Sequence, residues 1–181
     1  LIFLMVTPII LTTFINNASN YLDSYLYAGI QGMHGINANS ISAAYGEFSN
    51  YYIPVINIPL ALASASTSAM MPEVSGYFAV GDNKSANRSI NKTIKLTMFI
   101  CIPATVGLTV LAHPIMGVLF PAASDVATKL LVTGSLYVVF TALCTVTGGA
   151  LQSIGKQRTA LINAAVALGI NLASLAVMLL V

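Results

Sequence analysis

Charge is what this sequence is shortest of: Asp, Glu, Lys and Arg make up 7% of its 181 residues, against about a quarter in an average soluble domain. Charged side chains are almost never fully buried, so a water-soluble fold of this length would need many more of them to cover its exterior. Water is therefore not the main solvent of this chain. The net charge of +2 is too small to suggest nucleic acid as a partner, and the basic residues are not interleaved with aromatics in the stripe such a partner needs. Cysteine is scarce too. Cys101 and Cys144 lie far apart in apolar stretches without CxxC or Cys/His ligand spacing, so neither zinc nor redox chemistry is indicated and both read as small hydrophobes. Also missing are a GxSxG elbow, an HExxH pair, a Gly-rich phosphate loop and a close carboxylate cluster; no catalysis, metal or cofactor is expected.

What the sequence does have is apolar length. Hydrophobic residues make up 57% of it, and they gather into runs of about 20 residues, enough to cross a hydrocarbon layer of about 30 Å. Five spans are expected, at roughly 1–27, 41–71, 94–120, 125–151 and 159–181. The runs lack the ten-residue alternation of a membrane barrel, so the expected fold class is all-α, a polytopic helical bundle. Leu1 already lies in a hydrophobic run, which suggests a piece of a longer protein whose ends lie elsewhere.

The connections carry orientation. The Gly- and Asn-rich turn at 29–37 has no Lys or Arg, whereas the segment at about 72–93, expected as a cytoplasmic loop, begins the densest basic cluster, Lys84, Arg88, Lys92 and Lys95. The turn at 121–125 is again poor in cations, and Lys156 and Arg158 mark the next one. Positive loops stay in the cytoplasm, which places 72–93 and 155–158 there in a multi-pass cell-membrane protein. The spacing of Lys84, Arg88, Lys92 and Lys95 gives one basic face if 75–95 forms an amphipathic helix lying in the interface. That face serves either topology alone or contact with anionic membrane lipids, at about 1 kcal/mol per cation.

Polar groups at membrane depth must face protein or water. In the first span, Asn16, Asn20, Asp23 and Tyr27 recur at helical spacing and share one face. Asp23 is the single carboxylate there, a candidate for binding a coupling cation, H+ or Na+. In the second span Glu47, Asn50, Pro54, Asn57, Ala61, Ser64 and Ser68 form a similar polar or small face. Two such faces either line one cavity or join helices by hydrogen bonds. Pro54 and Pro59 in the second span and Pro103 in the third each remove a backbone hydrogen bond, making them candidate hinges or static kinks.

Several local patterns resemble the MOP superfamily of flippases and exporters, in the branch of lipid II flippases, sporulation protein B and polysaccharide exporters. They are the run from Ile58 to Ser75 with its Pro-x-x-Ser ending, Gly81-Asp82 after it, Ile102-Pro103-Ala104 with Leu111-Ala112-His113-Pro114-Ile115, and Leu151 to Lys156. The resemblance covers essentially the whole chain and aligns it with helices seven to eleven of a transporter with twelve to fourteen. It implies part of one lobe of a two-lobe transporter, completed by an absent N-terminal lobe, that carries a lipid-linked oligosaccharide or peptidoglycan precursor across the bacterial inner membrane by alternating access. The spans lack the basic cavity residues lipid II flippases often use for pyrophosphate, so the resemblance leaves those to the other lobe. Competing readings are a multidrug and toxin antiporter of the same superfamily with Asp23 titrating, an intramembrane enzyme on lipid-linked sugars, and a noncatalytic scaffold.

Overall fold

The computed structural model describes residues 7, 9–15, 17, 38–121 and 124–180. Asn16, Asn20, Asp23 and Tyr27 lie outside the described residues, and with them the expected polar face of the first span. The described residues are helical apart from short connections: residues 7, 9–15 and 17, then seven α-helices across 38–180. These are α1 (Ala38–Glu47), α2 (Ile53–Ala79), α3 (Asn83–Val110), α4 (Ala112–Leu119), α5 (Asp125–Gly134), α6 (Leu136–Ser153) and α7 (Gln157–Leu180), with a π-helical turn, Phe48–Tyr52, between α1 and α2. The all-α expectation stands. Among the described residues three helical stretches are long and apolar enough to cross a membrane: Ser42–Ala79, Asn83–Val110 and Leu136–Ser153.

The chain divides into two compact units, residues 44–154 and residues 1–43 with 155–181. The first is built on α2, α3 and α6, which pack against one another, with α4 and α5 packed together beside the π turn. Its core falls into two clusters. One gathers Tyr52, Ile56, Cys101, Met116, Leu131 and Val138, and the other Met70, Val74, Ala86, Val146 and Ala150. Between them the backbones come close: a methyl on Gly149 of α6 would overlap the Thr67 methyl of α2, the small-residue contact by which membrane helices approach. In the second unit, α7 starts just after Gly155, whose φ of 75° is the left-handed conformation glycine adopts without strain.

Local chemistry explains where helices stop. At the end of α2 the Asp82 N–H reaches the Tyr77 carbonyl (2.9 Å) and the Gly81 N–H the Phe78 carbonyl (3.1 Å), with Gly81 at φ 79°: a Schellman termination. Asp82 then caps α3, its carboxylate accepting from the Ser85 N–H at 3.0 Å. Three residues thus close one helix and open the next. Residues 72–93 are thus helix on both sides of a turn at 80–82. The same turn corrects the expected interfacial helix at 75–95, because Lys84 to Lys95 are the first turns of α3 itself. The stretch at 94–120 is interrupted as well. Pro114 has no N–H for the Val110 carbonyl and its ring crowds that oxygen, so α3 ends at Val110 and α4 begins at Ala112.

Candidate functional site

The second-span residues singled out for their spacing lie on one long helix. Asn50, Pro54, Asn57, Ala61, Ser64 and Ser68 are all exposed on the surface of the 44–154 unit, and Glu47 is half-buried. The core takes Val55, Ile56, Pro59, Ala63, Thr67, Met70 and Val74 from the same helix. The amides and hydroxyls therefore run along an edge that the three-helix core leaves uncovered. That edge offers hydrogen-bonding groups over about five turns, or about 27 Å.

The hinge candidates differ from one another. Pro54 follows the π turn directly, and that turn has a cause: Pro54 cannot donate to the Asn50 carbonyl and pushes it aside. The Ile53 N–H reaches back to Phe48 instead, the i→i−5 bond of a π turn. Pro59 and Pro103 sit inside uninterrupted helices, Pro59 buried and Pro103 exposed.

Glu47 does not face the stripe's far end alone. Its two carboxylate oxygens accept from the Ser124 N–H, each at 3.3 Å, at the start of α5, where Ser124 itself accepts from Val126 N–H at 3.1 Å. A carboxylate at a helix N-terminus meets unpaired N–H groups and the positive end of the helix dipole. The basic candidates Lys84, Arg88, Lys92 and Lys95 are exposed along α3. The nearby Glu73 carboxylate accepts the Ser89 hydroxyl at 2.8 Å on the other side of α3.

One polar cluster escaped the sequence reading. Between α5 and α6 the helix breaks at Gly134–Ser135, and the Val138 N–H bonds to Ser135 (3.0 Å) rather than to Gly134. The Gly134 carbonyl this releases accepts the Tyr52 hydroxyl at 2.9 Å. The Ser135 carbonyl accepts from Thr105 at 3.4 Å, and Thr109 Oγ1 and Ser135 Oγ lie 2.6 Å apart. Side chains from the π turn and from α3 thus substitute for helix N–H groups, which is how a kink is held without orphaned carbonyls. Tyr52 and Gly134 are 82 residues apart, so no local spacing announces them.

The comparisons bear on the whole chain. A family model described as "Lipid II flippase MurJ" matches residues 6–181. The lipid II flippase MurJ of Bacillus subtilis (strain 168) is 27% identical over 158 residues, 84% of this chain and 28% of that protein. A probable lipid II flippase of Rickettsia prowazekii is 29% identical over 51% of the chain and 19% of its own length. One of Rhizobium meliloti is 26% identical over 58% of the chain and 20% of its own length. The chain thus spans under a third of the length of each of these relatives. No solved structure matches it significantly.

Proposed function

We propose, from the premise that this chain belongs to the MurJ lipid II flippase family, that it forms part of one lobe of a transporter moving a lipid-linked peptidoglycan precursor across the bacterial membrane. The single observation that carries the reading beyond family is the uncovered stripe from Asn50 of the π turn through Asn57 to Ser68 of α2. A lipid-linked sugar has two solvents to satisfy. Its headgroup needs hydrogen-bond partners in place of water, each worth about 0.5–1.5 kcal/mol net, while its tail stays in hydrocarbon. Asn57, Ser64 and Ser68 offer such partners, and Ile58 and Leu62, exposed one residue along, offer an apolar flank.

In this reading the chain crosses the membrane five times. The stretches 94–120 and 125–151 cross as the pairs α3–α4 and α5–α6, because α4 and α5 have only 8 and 10 residues, too few to span alone. The turn at 80–82 and Lys156 face the cytoplasm by the positive-inside rule. The cations that meet the pyrophosphate come from the lobe outside this chain, and Asp23 is the proposed site for a coupling H+ or Na+. Alternating access is served by the π turn at Phe48–Tyr52, a weak point in the helix that carries the stripe. Family membership favours a lipid-linked substrate over the drug antiporter and leaves the enzyme and scaffold readings without a supporting observation.

The test is substitution along the stripe in the full-length protein. Asn57→Leu with Ser64→Leu removes two sets of hydrogen bonds at exposed positions, and precursor flipping in reconstituted vesicles is expected to slow about tenfold with unchanged thermal stability. Wild-type flipping by that double variant would remove the stripe from the transport path.

A further inference from the structure

Helix α3 shows two kinds of exposed surface in one line. Lys84, Arg88, Lys92 and Lys95 are exposed over its first turns. In continuing steps of three and four residues they are followed by Phe99 (78% exposed), Ile102 (51%), Val106 (57%) and Val110 (72%). Such steps keep residues on one helix face. The residues the helix buries, among them Ser89, Thr93, Thr97 and Cys101, fall on the opposite side. The face is therefore basic at one end and continuously apolar along the rest.

Nothing acidic interrupts it. The two carboxylates nearest in sequence are engaged elsewhere: Asp82 accepts the Ser85 N–H at the helix start, and Glu73 accepts the Ser89 hydroxyl from the buried side. The dimensions fit one environment. From Leu96 to Val110 the helix rises about 22 Å, most of a hydrocarbon layer of about 30 Å. From Lys84 to Lys95 it rises about 16 Å, enough to pass a headgroup layer and reach the water beyond. Lys and Arg stems can lie along apolar surface while their charges reach phosphates. An anionic protein partner would complement the cations but not the long apolar face below them; a phospholipid with an anionic headgroup complements both.

We propose that this face of α3 is a lipid-docking surface, at which Lys84, Arg88, Lys92 and Lys95 hold anionic phospholipid headgroups while the acyl chains lie along Phe99, Val106 and Val110. The proposal does not depend on the transported substrate, so it stands or falls separately from the flippase reading. It concerns only α3, whose basic-apolar face meets bilayer whatever the polar stripe of α2 faces.

The experiment reconstitutes the full-length protein in nanodiscs of mixed phosphatidylcholine and phosphatidylglycerol and measures, by mass spectrometry, the lipids retained after mild detergent extraction. Phosphatidylglycerol is expected to be enriched, and the enrichment to fall as salt rises. Arg88→Gln with Lys92→Gln should reduce it at least about tenfold, since each cation near an anionic surface contributes about a fivefold preference; the charge-preserving pair Arg88→Lys and Lys92→Arg should keep it. Equal retention of the two lipids by the unaltered protein, or enrichment indifferent to salt and to the glutamine pair, overturns the proposal. A nitroxide in place of Phe99 or Val106 gives a second measure that does not touch the charges. It should be relaxed by oxygen and not by a water-soluble nickel chelate. Relaxation by the chelate would mean an aqueous path, and protection from both would mean a protein partner; either result overturns the proposal.

Discussion

Replacing Gly134 by Ala sets three effects against each other. In an ordinary helix the change gains up to about 1 kcal/mol, because alanine loses less backbone freedom on folding. Here the new methyl would overlap the Tyr52 hydroxyl and lie 2.7 and 2.9 Å from ring carbons Cζ and Cε2, a degree of overpacking that costs about 1–3 kcal/mol. Moving the ring away also takes the hydroxyl off the half-buried Gly134 carbonyl, now 2.9 Å distant, and leaving that carbonyl without a partner costs up to about 1–3 kcal/mol more. The sum is a net loss of about 1–5 kcal/mol. Tyr52→Phe alone loses only the hydrogen bond and is expected to cost about 1–2 kcal/mol. The double variant tests the mechanism, because without the hydroxyl the closest overlap is gone while the ring-carbon contacts remain. Its loss should fall short of the sum of the two single losses by about 1 kcal/mol. Thermal unfolding of the purified protein, followed by size-exclusion chromatography in detergent, gives the ranking. Gly134→Ala melting at or above the parent, or strict additivity in the double variant, would refute the reasoning.

Other sites give sharper signs than sizes. Gly149→Ala should destabilise by about 1–3 kcal/mol because its methyl overlaps that of Thr67, and Thr67→Ser, which deletes the overlapped methyl, should restore most of the loss in the same melting assay. The Thr97 hydroxyl is buried without a hydrogen-bond partner among the described residues. Thr97→Val, nearly the same shape without the polar atom, should leave the melting temperature unchanged or raise it. The Asp82 carboxyl is held below the ordinary carboxylate range by the Ser85 hydroxyl and then by the Ser85 backbone N–H. A depressed value means the cap contributes fully above the ordinary carboxylate range and its contribution is lost as pH falls through the lowered value. Melting curves of the parent should therefore lose this increment in acid, and Asp82→Asn, which keeps an acceptor without a charge, should remove that part of the pH dependence.

Much of this fold can be read from composition and spacing, because the bilayer imposes long apolar helices and the core imposes a period. The α2 stripe is legible for that reason: the positions from Asn50 to Ser68 share a face by arithmetic, and the structure leaves that face uncovered. Gly81-Asp82 is half legible. Both residues are turn formers, yet that they end one helix and cap the next within three residues depends on a bond back to Tyr77, which hydropathy does not register. Pro54 announces a missing hydrogen bond but not its remedy, a π turn rather than a kink. The break at Ser135 is only half legible locally: Gly134-Ser135 is a pair at which helices can kink, but nothing beside it marks the partners that hold it. Leu131 to Val139 contains no proline, and the interruption is held by hydroxyls of Tyr52 and Thr105 from distant parts of the chain.

The interruptions are not spread evenly over the 44–154 unit. The π turn at Phe48–Tyr52, the end of α3 at Val110 and the break at Gly134–Ser135 all adjoin the cluster of Tyr52, Met116 and Leu131. The cluster of Met70, Val74 and Val146 is held by continuous helices and by the Thr67–Gly149 contact, where a single methyl would not fit. A tightly packed contact resists sliding, since cores shift between discrete arrangements rather than deforming smoothly. Hydroxyl bonds standing in for backbone bonds can exchange partners at a cost of about one net hydrogen bond each. Thr109 and Ser135 show the latitude. Each hydroxyl has one proton, yet Thr109 bonds the Thr105 carbonyl and Ser135 the Val132 carbonyl while their oxygens also lie within bonding distance. The three contacts compete for two protons, so the hydroxyls at this node have more than one way of sharing their hydrogen bonds.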